Sequence, residues 1–130
     1  MNGMSTGSEQ QGIKVSVVIP CFNSADFLRG ALESIQKQQY KKLEVLVMDG
    51  GSTDHTAQVL DDFSDLIDVR ISEPDQGPAD AINKGFQRAT GEIVAWLNAD
   101  DRYAEDAIFR AVSVLKEHPG ASFAFGKSPI

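Results

Sequence analysis

Short apolar runs alternate along this chain with longer stretches that carry their apolar residues at helical spacing, and few folds accept that alternation. The runs span residues 15–19, 43–48, 67–71, 92–97 and 121–125. Several are nearly continuous in Val, Ile and Leu, which suits strands covered on both faces. Four helical patterns lie between them. The first sets Phe27, Leu28, Ala31, Leu32 and Ile35 on one face, with Asn23 or Ser24 as its cap. The second begins after Ser52 or Thr53 and spaces Ala57, Leu60 and Phe63 helically. The third runs from Pro78, which suits a first turn, through Ile82 and Phe86 to a stop at Gly91. The fourth carries Ala107, Ile108, Ala111, Val114 and Leu115 and stops before Pro119. Strand and helix in this order predict right-handed crossovers. The expected class is α/β: a mostly parallel, Rossmann-like sheet with helices on both faces.

At 130 residues the chain fits one domain, and 42% hydrophobic with 24% charged residues describes a soluble globular protein. The single Cys21 excludes an internal disulfide and a Cys-rich zinc site, and agrees with a reducing cytoplasm, the expected location. The net charge of −7 opposes nucleic acid as a partner. It opposes a nucleoside diphosphate equally, unless a cation or a cluster of donors offsets the repulsion. No apolar run reaches transmembrane length. Residues 1–12 are Gly-, Ser- and Gln-rich without a basic start or an apolar stretch, so they read as a flexible tail rather than a signal peptide. The domain is then expected over residues 13–130.

In parallel α/β sheets ligands sit outside the carboxyl ends of the strands. Four polar clusters fall there: Pro20-Cys21-Phe22-Asn23, Asp49-Gly50-Gly51-Ser52-Thr53-Asp54, Glu73-Pro74-Asp75-Gln76-Gly77-Pro78 and Asn98-Ala99-Asp100-Asp101. They are expected to converge on one edge of the sheet. Asp100 and Asp101 can hold a divalent cation that binds phosphate oxygens, or can simply cap the next helix. Asp49 can accept the imide N–H of a base while Gly50 lets the backbone approach a ligand, or the pair can be a chain-reversing Asp-Gly turn. Phe22 can stack on a base or pack inward, and Asn23 can line the site or cap the helix. Asp80 and Lys84, four apart, form a surface pair, or the helix start with Gln76-Gly77 offers free N–H groups to an anion. Cys21 has no histidine in local relation to it and is not expected to be a nucleophile. His55 and His118 read as exposed helix residues.

Taken together, three stretches resemble the donor-site motifs of family-two glycosyltransferases. They are Val17-Val18-Ile19-Pro20-Cys21-Phe22-Asn23, Val47-Met48-Asp49-Gly50-Gly51-Ser52-Thr53-Asp54, and Asp75-Gln76-Gly77-Pro78-Ala79-Asp80-Ala81-Ile82-Asn83-Lys84-Gly85. Ala89-Thr90-Gly91-Glu92 followed by Trp96-Leu97-Asn98-Ala99-Asp100-Asp101 is similar to the segment that carries their Asp-X-Asp-type metal motif.

The resemblance implies the nucleotide-sugar-binding half of an inverting GT-A enzyme, ending before the acceptor-binding half. It implies that Pro20 and Cys21 border the nucleobase and that Asp49 hydrogen-bonds it, with Phe22, Asn23 and Gly50 also among the nucleotide-binding residues. Gln76, Asp80 and Lys84 would lie beside the nucleoside and sugar. Asn98 and Ala99 would also bind the nucleotide, and Asp100 with Asp101 would meet Mn²⁺ or Mg²⁺ on the diphosphate. A UDP-sugar donor, a sugar or lipid-linked acceptor in cell-surface polysaccharide or glycoconjugate synthesis, and a possible homo-oligomer follow as expectations. Two positions depart from the family pattern: Cys21 stands where a Thr is common, and Asn98 where an Asp often opens the metal motif. No residue of this chain matches the family's catalytic base. Two other readings stay open, a nucleotide-sugar-binding module without turnover and another acidic-ended α/β protein such as a receiver. The latter needs a lysine on a later strand end, where only Lys127 stands.

Overall fold

The structure, a computed structural model, describes residues 12–117. The N-terminal tail up to residue 11, the run at 121–125, His118 and Lys127 lie outside the described residues. Strands and helices alternate as β1 Val15–Cys21, α1 Ala25–Gln36, β2 Leu43–Asp49, α2 Thr56–Asp62, β3 Val69–Ser72, α3 Pro78–Arg88, β4 Ile93–Trp96 and α4 Ala107–Glu117. The sheet order is β3-β2-β1-β4, and every pairing among the described residues is parallel. Val15 lies opposite Leu43 on one side and Ile93 on the other, so β1 is held from both edges.

The alternation of side chains along β1 divides the core in two. Val15, Val17, Ile19 and Cys21 point to the face covered by Leu28, Leu32 and Ile35 of α1, Leu60 of α2, and Ile108 and Val112 of α4. Val18, with Leu46 and Met48 of β2, points to the other face, where Ala81 of α3 closes the contact and Phe86 and Trp96 pack partly against it. Each of these fully buried Val, Leu or Ile side chains is worth roughly 1.5–3 kcal/mol.

Several helical faces differ from their expected stripes. Phe27 is 61% exposed, because it lies on the edge of the α1 stripe nearest the strand ends. Helix α2 begins only at Thr56 and buries Thr56, Val59 and Leu60, with Ala57 on the outside. In α4 the buried third side is Val112, and Val114 faces out. In α3 the residues in full contact are the small ones, Ala81 and Gly85, while Ile82 and Phe86 are half-buried. A β-carbon at Gly85 would stand 2.4 Å from Val18 Cγ1, so α3 sits closer to the sheet than a larger residue permits. The run at 67–71 yields a strand only from Val69, since Ile67 N–H still donates to Phe63 O and Asp68 turns back to accept the Val45 N–H. Strands β3 and β4 alternate between part-buried or buried and exposed positions, as sheet edges do.

At the amino ends of the strands a buried acid, Glu44, organises the turn that enters β4. It is 8% exposed and accepts hydrogen bonds from Ser16 Oγ at 2.7 Å, Thr90 N at 2.9 Å and Thr90 Oγ1 at 3.1 Å. Ser16 Oγ in turn accepts the Gly91 N–H at 2.8 Å. Burial pushes the Glu44 carboxyl up, but these hydrogen bonds and the charge of Lys14 outweigh it and hold the group below its ordinary value.

Candidate functional site

The carboxyl ends of all four strands open onto one cavity of about 800 Å³, within the range of small-molecule sites. Pro20, Cys21, Phe22 and Asn23 line it from the end of β1, and Gly50 from beyond β2. Asp75, Gly77, Pro78 and Ala81 line it from the approach to α3 and its first turns. Asn98, Ala99 and Asp100 line it from beyond β4. Phe27 of α1 reaches its mouth, and Phe22 is 58% exposed there. The polar clusters therefore meet, as sheet topology requires of segments that all leave the same edge.

Asp49 lies beneath this cavity rather than on it. It is 5% exposed, and its Oδ1 accepts the Ser52 hydroxyl at 2.5 Å and the Ser52 N–H at 3.2 Å. Its Oδ2 accepts the Ser72 hydroxyl at 3.0 Å. Oδ2 thus ties the ends of β2 and β3 together, while Oδ1 holds the loop that leaves β2. The rest of the Gly-Ser-Thr-Asp segment continues the brace. Asn23, in the left-handed region at φ 48°, donates its N–H to Ser52 Oγ. Its side-chain oxygen accepts the Thr53 and Asp54 N–H groups at 2.8 and 3.2 Å. Asp54 accepts the Thr56 N–H with one oxygen and the Ala25 N–H with the other, so one carboxylate serves the starts of α1 and α2. The Thr56 hydroxyl bond holds the Asp54 carboxyl below its ordinary value. Asn23 therefore caps neither helix through the expected bond, and the cap of α1, Ser24, donates to and accepts from Phe22.

Burial first, then the charges of Asp49, Asp54 and Asp75, push the Cys21 thiol up to about 12. It remains protonated at neutral pH and cannot serve as a nucleophile. Its carbonyl accepts the Gly50 N–H at 2.9 Å, which fixes the spacing between the β1 and β2 ends.

Gln76, Asp80 and Lys84 sit around the α3 start but outside the cavity lining. Asp80 Oδ2 accepts the Gln76 N–H at 2.9 Å, and Lys84 bridges Glu73 at 3.1 Å and Asp80 at 3.8 Å. The surface-pair alternative describes this arrangement. Asp75, which sequence reasoning passed over, is the carboxylate that the same loop brings to the cavity. The available signal was its position one step after Pro74 at a strand end.

Beyond β4, Asp101 N–H donates to Asn98 O at 3.0 Å, and Asn98 Nδ2 to Asp101 Oδ2 at 3.4 Å, closing a tight turn. That turn leaves Asp100 exposed on the cavity. Among the described residues no three His, Cys, Asp or Glu side chains gather into a metal-holding group. Mg²⁺ usually takes only one or two protein carboxylates and fills its shell with water and phosphate. The donor set at Asp100 and Asp101 therefore fits a cation that arrives with a diphosphate, not one held by protein alone.

The parallel four-stranded sheet with helices on both faces matches the Rossmann-like GT-A fold. The chain belongs to glycosyl transferase family 2, whose profile matches residues 16–127. It is 35% identical over 115 residues to a PGL/p-HBAD biosynthesis glycosyltransferase of Mycobacterium bovis, covering 85% of this chain and 45% of that protein. Two solved structures share the fold. The mannosyltransferase PcManGT from Pyrobaculum calidifontis, in complex with GDP-Man and Mn²⁺, superposes with a TM-score of 0.74 at 35% identity over 79% of this chain and 32% of its own. S. aureus TarS 1-349, in complex with UDP-GlcNAc, gives a TM-score of 0.75 at 28% identity over 82% and 32%. The chain thus spans less than half the length of these relatives. No helix among the described residues is long and apolar enough to cross a membrane.

Proposed function

We propose that the cavity binds a nucleoside diphosphate sugar, UDP-sugar first, as donor for inverting sugar transfer to a sugar or lipid-linked acceptor in cell-surface polysaccharide or glycoconjugate synthesis. A cytoplasmic location fits a donor of this kind. The observation that carries the reading is the placement of Asp100, exposed at the β4 end of a cavity that also presents glycine backbone at Gly50 and Gly77 and the rings of Phe22 and Phe27. Phe22 offers a ring face for stacking, and Gly50 and Gly77 admit a ligand close to the backbone. Asp100, with Asp101 beside it, would hold Mn²⁺ or Mg²⁺. That cation would neutralise charge on the departing diphosphate. Asn98 and Ala99 shape the wall next to it. Asp49 acts from behind and Asn23 from the wall itself, holding the loops in register.

The net charge of −7 opposes a diphosphate, and a cation at Asp100 would offset that repulsion. Titration calorimetry with UDP is expected to show tighter binding with Mn²⁺ than with chelator. Asp100→Asn should cut the Mn²⁺-dependent gain by about tenfold or more, since even outer-shell partners of a bound metal act on that scale. UDP affinity that is the same in Mn²⁺ and in chelator would remove the donor-site reading.

A further inference from the structure

Asp100 and Asp101 lie in the irregular stretch of residues 97–106 between β4 and α4, so no helix or strand holds their carboxylates in place. A binding constellation must nevertheless be held to within about 0.5 Å. The stretch is fixed instead by α1, through residues that do not line the cavity. Positions 30, 34 and 38, four apart and on one line along the helix, follow it step by step. A β-carbon on Gly30 would stand 2.7 Å from a guanidinium nitrogen of Arg102, so that side chain lies directly on the α1 backbone. Ser34, 8% exposed, donates its hydroxyl to Ala31 O at 2.7 Å and accepts the Tyr103 N–H at 3.1 Å. Gln38, just past the helix, spends both amide protons, on Ala104 O at 2.7 Å and on Ser34 O at 3.1 Å. Its Oε1 accepts the Ile108 N–H at 3.1 Å. Tyr103 closes the other end by donating its hydroxyl to Trp96 O, on the last residue of β4, at 2.7 Å. Residues 97–102 thus form a span pinned by Tyr103, and Ser34 pins Tyr103 to α1.

We propose that Ser34 and Gln38 are positioning residues for divalent-cation binding: they fix where Asp100 and Asp101 stand and so set the affinity of the cation that arrives with a diphosphate. The inference rests on the nucleotide-sugar reading and adds to it residues outside the cavity that tune its metal.

Two physical points carry it. Tyr103 is buried, so loss of the Ser34 acceptor orphans its N–H, and the segment must shift to satisfy it. Asp101 is two residues away and Asp100 three, with no regular element between them to absorb the shift. The second point is the small donor set. Among the described residues no further His, Cys, Asp or Glu joins these carboxylates in a metal-holding group, so nothing compensates when they move.

The test is calorimetry of UDP with Mn²⁺ and with chelator, alongside thermal unfolding, on the protein and three variants. Ser34→Ala removes the acceptor for the Tyr103 N–H, and Ser34→Thr keeps a hydroxyl there. Gln38→Glu keeps the shape but sets a carboxylate against Ala104 O and Ser34 O. Gln38→Glu is expected to lower the Mn²⁺-dependent gain in UDP affinity by about tenfold, the scale of outer-shell partners of a metal. Ser34→Ala should lower it about fivefold, the worth of one neutral hydrogen bond, while Ser34→Thr retains it. UDP affinity in chelator should be unchanged in all three. Variants that unfold at lower temperature yet keep the full Mn²⁺ gain would show a role in the fold alone and overturn the proposal. Equal loss in Ser34→Ala and Ser34→Thr overturns it as well, because the hydroxyl would then not be the cause. If Gln38→Glu does not fold, the two Ser34 variants decide. An unaltered protein that binds UDP equally with Mn²⁺ and with chelator overturns the donor-site reading, and this proposal with it.

Discussion

Gly85→Leu is expected to leave no cooperative unfolding transition, and Gly85→Ala to lower stability by roughly 1–3 kcal/mol. Helix propensity alone argues the opposite, since alanine gains about 1 kcal/mol over glycine inside a helix. Packing wins because of where the helix lies. The new β-carbon would stand 2.4 and 2.8 Å from the two methyls of Val18, well inside the carbon contact distance of about 3.5–4.0 Å. Val18 is fully buried on the central strand and pairs with Leu46 on one side and Trp96 on the other, so it cannot retreat. Relief must come from α3 moving away, and that would open the contact between Ala81 and the sheet as well. Leucine adds three further carbons to the same space, against a total stability of only about 5–15 kcal/mol for a domain of this kind. Thermal and urea unfolding followed by circular dichroism measure both variants. An alanine variant at least as stable as the parent would show that α3 is not tightly seated.

Glu44→Leu is expected to cost about 1–3 kcal/mol, because it leaves the hydroxyl proton of the fully buried Ser16 without its acceptor and removes the bonds to Thr90. Glu44→Gln keeps the shape and an acceptor oxygen, so at neutral pH it should cost only about 1 kcal/mol, the difference between charged and neutral hydrogen bonds. The two forms separate by pH. The folded Glu44 carboxyl lies below its ordinary value of 4.5, so its contribution is complete above that pH and disappears as pH falls through the folded value. The stability gap between the parent and Glu44→Gln should therefore be constant above about pH 5 and shrink as the solution is acidified below 4.5. Urea midpoints at pH 7 and pH 3 read this directly. A gap that widens on acidification would mean that the buried carboxyl is held protonated in the folded state.

Much of the fold was legible because parallel sheets leave a strong local signal. A strand buried on both faces must be apolar at nearly every position, as residues 15–19 and 43–48 are, and each such run ends where the chain turns polar. The edge strands were read less accurately. Their faces are only partly covered, so the run at 67–71 lost its first two residues to the turn that closes α2. Helical stripes identified the helices but not the depth of each residue. Phe27 and Val114 carry the right spacing and face outward, while Gly85, which carries no apolar signal, makes the closest approach to the sheet.

What the amino-acid sequence determined by itself is the α/β alternation, the edge at which polar strand ends must collect, and membership in the glycosyltransferase family, because these depend on periodicity and on residue order along the chain. Only the tertiary structure decided which of the acids at that edge face the cavity. Asp49 and Asp75 are both aspartates at strand ends beside glycines or a proline, and nothing in their local sequence separates them. The difference arises from partners brought together across the sheet. Ser72 from β3 and Ser52 turn Asp49 inward, whereas the absence of a side chain at Gly50 gives Asp75 its place above it. The Ser72 bond and the Gly50 contact join residues more than twenty positions apart, so no local stretch of sequence could reveal which acid they turn toward the cavity.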